Sequence, residues 1–317
     1  MSNGWIDGRG RSITNFLVNS PSGTVFLKSI DTSSISHSGE NMFELLNSMV
    51  EEIGEDHVVQ VVTDSASAYV LACEKLMEKR KKLFWSPCAA HCIDLILEDI
   101  GQLPVHANIL SKAKKITTFI YRHTLLINMI RKFANGYDLI RDGVARFATS
   151  YLTLSRMHEL KEPLRSMFVS EEWLNSPFVK KSDGKKVKNL VVGEAKFWDA
   201  IVYHLKSVIP LVKVFRLGDG DAKPPMGYIF EAMDREKEKI AKNFDDVSSR
   251  YERIWEIIDE RWLLQLHRPL HATAYYLTPR FHFDPIFNHQ DEKVTVGLIQ
   301  TIERMYLDVP TMLKIDR

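Results

Sequence analysis

The chain has 317 residues, of which 45% are hydrophobic and 26% charged, and its 42 Lys and Arg residues balance 41 Asp and Glu residues. This composition is typical of a globular protein, and the length predicts one large domain or two smaller ones. The balanced charge excludes a globally basic nucleic-acid-binding protein, so any DNA-binding surface must be a local patch.

The cysteine content and the hydropathy of the sequence indicate the cellular compartment. The three cysteines, Cys73, Cys88 and Cys92, are too few for a disulfide framework and predict a reducing, intracellular compartment. No apolar run approaches the roughly 20 residues of a membrane span, so we expect no membrane partner. The N-terminus lacks a secretory signal, and its abrupt start suggests a truncated gene product.

The first hundred residues alternate between predicted strands and helices. Residues 12–18 and 24–30 flank a turn rich in Asn, Ser, Pro and Gly, so they predict an antiparallel hairpin. Apolar residues then recur at helical spacing until Gly54, which suits a helix C-terminus. The remaining elements, in order, are a buried strand over 58–62, a helix over 65–82, a short strand over 83–85 and a helix that ends before Gly101.

With one further strand near residues 3–7, this order is that of a ribonuclease-H-like sheet. We therefore predict the α/β fold class, with a ribonuclease-H-like mixed sheet core over residues 1–102 whose first strand is incomplete. From Leu103 the pattern is almost wholly helical, and we predict a large all-helical region over residues 103–317. Within it we expect a helix that is bent or broken at Pro163, a break at Pro210, and a polar, basic loop over residues 180–186.

Asp64 is the first candidate for a catalytic and metal-binding residue. It follows a strand whose β-branched residues run without polar alternation, which is typical of a strand covered on both faces. Ligands and catalytic groups in α/β sheets lie at the carboxyl ends of strands. The alternative, that Thr63, Asp64 and Ser65 only cap the next helix, stays open at this point.

A ribonuclease-H-like nuclease uses three carboxylates to hold two divalent ions, Mg²⁺ or Mn²⁺. On the first strand the chain offers Asn3, whose amide carries no charge, and Asp7, which Gly8 and Gly10 place beside a turn. An extended strand would point both side chains to one face. Asp7 is therefore the second candidate metal ligand.

Zinc is not expected, although Cys88, His91 and Cys92 are spaced to share a helix face. Structural zinc needs four ligands, commonly from two separated pairs, and the chain has no second cysteine pair. His106 or His123 would have to complete the set. The alternative is a tightly packed helix start in which His91 is hydrogen-bonded near the sheet edge.

Two groups of basic residues can contact DNA phosphates, or else form ordinary solvated helix faces. The first basic patch consists of Lys75, Lys79, Arg80, Lys81 and Lys82. The second basic patch consists of Lys112, Lys114 and Lys115.

Several blocks of the sequence resemble the plant hAT-superfamily transposase-like proteins that carry the domain of unknown function 659. The longest are residues 3–18, with Asn3 and Trp5, and residues 84–95, with Cys88 and His91. Shorter blocks extend the resemblance over essentially the whole chain: residues 63–66, 143–150 with Arg146, 226–234 and 267–272. The resemblance implies a ribonuclease-H-like core interrupted by an all-helical hAT-type region. It also implies a nuclear location and, in intact members, cut-and-paste transposition with DNA and Mg²⁺ as partners.

The resemblance assigns roles to a few residues. Asp64 matches the family's second catalytic Asp, and Cys88 and His91 match its Cys-x-x-His element near the active site. Asn3 stands where the family has its first catalytic Asp. The third acid, a Glu in a Ser- or Cys-Glu-Arg motif, does not occur before Arg317.

We therefore predict a transposase-derived, catalytically inactive protein that keeps a DNA- or protein-binding role in the nucleus. One alternative is an active metal-dependent nuclease that uses Asp7, Asp64 and an acid of the helical region such as Glu159. Another is a pure protein-interaction scaffold. A homodimer is a further candidate partner, although the family's dimerisation segment is absent.

Overall fold

The structure is a computed structural model that describes residues 1–36, 38–141, 147–220, 225–285, 287–289, 291–306 and 309–315. Within them the strands are β1 (Ser2–Ile6), β2 (Ser12–Ser20), β3 (Gly23–Asp31), β4 (Gln60–Thr63) and β5 (Phe84–Pro87). The helices of the N-terminal half are α1 (Gly39–Ile53), α2 (Ser67–Lys79), α3 (Ala89–Gln102), α4 (Pro104–Tyr121), α5 (Thr124–Phe133), α6 (Phe147–Glu159) and α7 (Lys161–Val169).

The helices continue to the end of the described chain. They are α8 (Glu171–Leu174), α9 (Ser182–Lys188), α10 (Ala195–Gly218), α11 (Met226–Asn243), α12 (Glu252–Arg261), α13 (Pro269–Leu277), α14 (Pro279–His282), α15 (Glu292–Met305) and α16 (Val309–Ile315). Turns of 3₁₀ helix lie at Glu55–His57 and Ser248–Arg250, and π-helical turns at Asn189–Gly193 and Trp262–Leu266. The protein is thus a mixed α/β chain that is mainly helical and carries small sheets.

The chain divides into two compact units. Unit 1 comprises Met1–Cys92, Leu217–Ala232 and Asp259–Arg317, and unit 2 comprises Ile93–Arg216 and Met233–Ile258. The predicted domain boundary at residue 102 stays a prediction. No sequence pattern indicates that the two later segments join unit 1.

The three-stranded sheet of unit 1 is antiparallel, with β2 between β1 and β3. Ser2 lies opposite Phe16 and Ile6 opposite Ser12, and a bulge between Phe16 and Leu17 shifts the register against β3. The predicted first strand near residues 3–7 and the predicted hairpin over residues 12–30 are both confirmed.

A second, parallel pair of strands lies in the same unit. Gln60 of β4 lies opposite Phe84 of β5, and Thr63 lies opposite Pro87. The strand predicted over residues 58–62 is shorter and less buried than expected, since Val59 is 50% exposed. β-branched residues favour a strand even where they do not all face the core, so their run did not predict burial on both faces.

Helices α1 and α2 cover the buried face of unit 1. Ser38 caps α1 by accepting a hydrogen bond from the Asn41 amide at 3.3 Å. Gly54 ends α1 at φ +97°, as predicted, and its amide donates to the Val50 carbonyl at 3.0 Å. Apolar side chains of both helices pack on Phe16 and other strand residues to form the core.

The C-terminal part of unit 1 packs on β5 through two arginines. Arg304 Nε donates to the Leu83 carbonyl at 2.8 Å, and its guanidinium lies 5.5 Å from the centre of the Phe84 ring. The Arg268 guanidinium lies 5.1 Å from the Trp85 ring centre. These arginines fix residues that follow position 259 onto a strand that ends at residue 87.

In unit 2 the break predicted at Pro210 was wrong, and the bend or break predicted at Pro163 falls slightly earlier in the chain. The break between α6 and α7 falls at Leu160, and Pro163 lies in the first turn of α7, where a missing amide removes no helical bond. Helix α10 continues through Pro210, which is an interior residue of the helix and is buried. Burial of the apolar residues around Pro210 offsets the lost hydrogen bond.

The polar, basic loop predicted over residues 180–186 was also wrong, because α9 begins at Ser182. Gly184 and Val187 of this helix are buried. A Cβ atom at Gly184 would lie 2.1 Å from the Phe178 carbonyl oxygen. The glycine that suggested a loop instead permits close packing of the helix against the preceding backbone.

Gly184 provides a test of this packing. At an open helical position, Gly→Ala stabilises by up to about 1 kcal/mol. Because the added methyl group would overlap the Phe178 carbonyl, we expect Gly184→Ala to lower the free energy of unfolding by about 1–3 kcal/mol in urea titrations. Gly8→Ala, where nothing lies within 4 Å of the added atom, is the control. A stabilised Gly184→Ala protein would contradict the packing.

Two buried histidines lie side by side in unit 2. The ring centres of His106 and His204 are 4.3 Å apart, and Tyr151 stacks on His204 at 4.8 Å. None of the four ring nitrogens has a hydrogen-bond partner among the described residues. Burial lowers the pKa of His106 to about 4 and the pKa of His204 well below its usual value.

This pair predicts acid sensitivity. The unfolded chain binds protons near pH 6.5 and the folded chain only near pH 4, so stability is full above pH 6.5 and falls as the pH drops through this window. His106 alone accounts for roughly 3 kcal/mol by pH 4, at about 1.4 kcal/mol per pKa unit. His204→Phe should flatten the dependence in urea titrations between pH 7 and 5, whereas the exposed His158→Gln should not. An unchanged slope in His204→Phe would contradict the assignment.

Candidate functional site

The candidate site lies where β4 and β5 end. The two strands run parallel, so their carboxyl ends meet at one edge. The ladder continues one residue further, because the Cys88 amide donates to the Thr63 carbonyl at 2.6 Å. Asp64 and the start of α3 are thereby held at the same edge, which is the position at which α/β sheets carry ligands.

Thr63 is the most constrained residue of this edge. It is 1% exposed, and its hydroxyl accepts a hydrogen bond from Trp85 Nε1 at 3.1 Å. The same hydroxyl donates to the Asp64 carbonyl at 2.7 Å. These bonds tie the end of β4 to β5 through side chains as well as through the backbone.

The Asp64 carboxylate is half-buried and partly used by the local chain. Its Oδ1 accepts a hydrogen bond from the Ala66 amide at 2.9 Å, which forms an Asx turn ahead of α2. The N-cap residue of α2 is Ala66, with no side-chain capping bond. The helix-capping alternative therefore holds only in part, because Asp64 forms the turn before the helix but does not cap it. The Asp64 Oδ2 atom has no hydrogen-bond partner among the described residues.

Buried groups on α2 surround Asp64. Burial raises the pKa of the Cys73 thiol to about 12, and the Asp64 charge adds to this rise. The pKa of Tyr69 is raised by burial too, with a smaller contribution from Asp64. Both groups are neutral at physiological pH, so they add no further negative charge near Asp64.

The segment Cys88–Cys92 has little metal-ligand character. Burial raises the pKa of the Cys92 thiol to about 12, and the thiol hydrogen-bonds Ser65. Cysteines bind metals as thiolates, whereas burial favours the neutral thiol of Cys92. Cys88 and His91 are half-buried at the start of α3.

Asp7 lies in a turn and not on the first strand, which ends at Ile6. Its Oδ1 accepts hydrogen bonds from the amides of Arg9 at 2.8 Å and Arg11 at 2.9 Å. Its Oδ2 accepts from Arg11 Nε at 2.8 Å. The turn that Gly8 and Gly10 suggested is therefore present, so Asp7 does not lie on an extended strand that would point it to the same face as Asn3.

Asn3 and Trp5 are exposed on β1. The neighbouring Ser2 hydroxyl lies 3.4 Å from the Tyr69 hydroxyl, so the face of β1 toward α2 is the one that carries Ser2 and Gly4. Since side chains alternate along a strand, Asn3 faces away from Tyr69.

A two-metal site does not fit the described residues. Among them, no three His, Cys, Asp or Glu side chains lie close enough together to hold a metal ion. Glu159, the third acid of the nuclease alternative, forms a 3.1 Å ion pair with Arg156. We therefore derive no reaction step through Mg²⁺ or Mn²⁺.

The first basic patch is divided between paired and exposed cations. The Arg80 side chain is 5% exposed and contacts Glu51 and Glu55. Lys79 lies 3.7 Å from Glu51, and Lys75 pairs with Glu40. Lys81 and Lys82 are exposed in the turn after α2, and they are the members best placed to reach DNA.

The second basic patch lies on α4 in unit 2. Lys112 pairs with Glu194, whereas Lys114 and Lys115 are exposed on the helix. Arg146 of the resemblance lies outside the described residues. None of the described helices combines the length and the apolar character needed to cross a bilayer.

Residues 1–116 match the family model described as Domain of unknown function (DUF659). This domain is found in hAT-like transposase proteins, so the match is consistent with a transposase-related protein. The match runs from β1 into α4 and includes Asp64 and the Cys88–Cys92 segment. Comparison with curated proteins gave no match.

Asp64 can be tested for its structural role. Asp64→Asn keeps the oxygen that accepts from the Ala66 amide, so we expect stability close to that of the wild type. Asp64→Ala removes it and should cost about 1 kcal/mol, by analogy with lost helix caps. Thermal unfolding of both variants measures the difference, and equal losses in the two would contradict a role for this hydrogen bond.

Proposed function

We propose that the chain is a protein derived from a plant hAT-type transposase, with a ribonuclease-H-like core that no longer cleaves DNA. In this proposal it keeps a DNA-binding role in the nucleus. The observation that carries the proposal is the family match over residues 1–116 together with Asp64 at the carboxyl end of β4.

The strand arrangement of unit 1 supports the ribonuclease-H-like core. Three antiparallel strands in the order β3–β2–β1 precede a parallel pair, β4–β5. The two sheets are separate, and β1 lies near β4. We infer that they correspond to the antiparallel and parallel parts of a ribonuclease-H-like sheet, with α1 preceding β4 and α2 preceding β5 along the chain.

The small number of carboxylates at the candidate site supports a loss of catalysis. In-line displacement with two metals needs several carboxylates to hold both ions and to neutralise the charge of the transition state. The described chain offers Asp64 at the expected strand end, Asn3 on the first strand, and an Asp7 already bonded to its own turn. One carboxylate binds a single hard cation weakly at best.

Exposed cations near the family-matched core support DNA binding. Lys81 and Lys82 follow α2 and are exposed to solvent. The protein has a net charge of only +1, so such binding would rest on local contacts and would weaken steeply with salt.

A cleavage assay tests the loss of catalysis. We expect purified protein with Mg²⁺ or Mn²⁺ to leave duplex DNA uncut, and Asp64→Ala to behave identically. Metal-dependent cleavage or strand transfer that disappears in Asp64→Ala would contradict the proposal and favour the nuclease alternative.

A salt-titrated binding assay tests the DNA-binding part. We expect Lys81→Gln/Lys82→Gln to reduce the slope of log K against log [salt] for duplex DNA by about 1.8, or 0.9 per lost phosphate contact. The control Lys28→Gln/Lys75→Gln removes two cations that pair with Glu52 and Glu40, and should leave the slope unchanged. Wild-type protein that does not bind DNA would favour the interaction scaffold.

A further inference from the structure

Residues 100–137 are strongly basic within a chain whose net charge is only +1. They contain no Asp or Glu, and their cations are Lys112, Lys114, Lys115, Arg122, Arg131 and Lys132. A local excess of this kind attracts anions even when the whole protein is nearly neutral.

Acids from other segments balance three of these cations. Arg131 and Asp138 form a bidentate pair with two N–O distances of 2.8 Å. The other two pairs are Lys112 with Glu194 and Lys132 with Glu172. Among the described residues, Lys115 and Arg122 form no ion pair, so positive charge remains toward the C-terminal end of α4.

An open pocket of about 270 Å³ lies at this end of α4. We call it the anion pocket, and it is lined by Lys114, Thr117, Thr118, Tyr121, Arg122 and Arg141. Three of these residues are cations, and the described lining contains no acid. The sequence alone did not suggest the pocket, because Arg141 lies twenty residues beyond Tyr121.

The pocket is held in shape by Tyr121. Its hydroxyl donates to the Leu139 carbonyl, which fixes the segment that carries Arg141 alongside α4. The Arg141 guanidinium lies 4.1 Å from the centre of the Tyr121 ring, at cation–π distance. This stacking orders the guanidinium before a ligand arrives, which lowers the entropic cost of binding.

The helix dipole opposes an anion here but is outweighed. Arg122 is the C-cap residue of α4, and the carbonyls of a helix C-terminus act as roughly half a negative charge. The Arg122 and Arg141 guanidinium groups contribute two full positive charges at the same place. Guanidinium groups match the oxygens of phosphate in pairs, so the balance favours a multiply charged tetrahedral anion.

We propose that the anion pocket binds a phosphate group, either free or as a phosphodiester of a single nucleic-acid strand. Arg122 and Arg141 are its main ligands, with the Thr118 hydroxyl as a further contact. The proposal does not depend on transposase ancestry, so it stands or falls separately from the proposed function.

Inorganic phosphate is the first probe. We expect about 50 mM phosphate to raise the Tm of the wild type relative to chloride at equal ionic strength, beyond the general stabilising effect of phosphate on all proteins. In Arg122→Gln/Arg141→Gln the specific part of this shift should be lost. The control Lys185→Gln/Lys186→Gln, which removes two exposed cations of α9, should keep it.

A fluorescently labelled single-stranded oligonucleotide is the second probe and identifies the source of the phosphate. If a strand is the ligand, Arg122→Gln/Arg141→Gln should reduce the salt slope of binding by about 1.4, or 0.7 per lost contact. If free phosphate is the ligand, only the first probe responds to these substitutions. A double variant that matches the control with both probes would overturn the proposal.

Discussion

The hydrogen bonds at Thr63 hold together the part of the molecule on which the functional account depends. Its carbonyl accepts from the Cys88 amide and its hydroxyl accepts from Trp85 Nε1, so β4 and β5 end together. Asp64 follows directly and therefore has a fixed position at the strand edge. Arg268, stacked on Trp85, adds support from the C-terminal part of unit 1. The position of Asp64 is the one that the proposed function assigns to the family's second catalytic Asp.

Charge in this protein is organised locally, and the overall balance hides it. In unit 1 the buried Arg80 side chain forms ion pairs with Glu51 and Glu55. Arg80 is therefore not accessible to a ligand at the surface. Near Tyr121 in unit 2, in contrast, Arg122 and Arg141 form no ion pair among the described residues. Runs of basic residues look alike in the sequence. Cations with a structural role are distinguished from cations that can bind a ligand only by their partners in the folded chain.

Local patterns predicted unit 1 well and unit 2 less well. The hairpin, the helix ending at Gly54 and the first strand follow from turn chemistry and periodicity, which act over a few residues. Gly184 and Pro210 misled the prediction because distant packing overrides their local preference for loops and breaks. The turn bonds of Asp7 and the stacking of Arg141 on Tyr121 depend on side-chain geometry that no sequence pattern encodes.

The central claim is that the core keeps one carboxylate of a former metal site and has lost the arrangement that holds two ions. Asp64 retains its position through Thr63, while Asn3 and Asp7 supply no second ligand beside it. Electron paramagnetic resonance of Mn²⁺ titrated with the protein tests this most directly. The account predicts that Mn²⁺ stays free at micromolar concentrations. Two Mn²⁺ ions bound per chain, and released by Asp64→Ala, would contradict it.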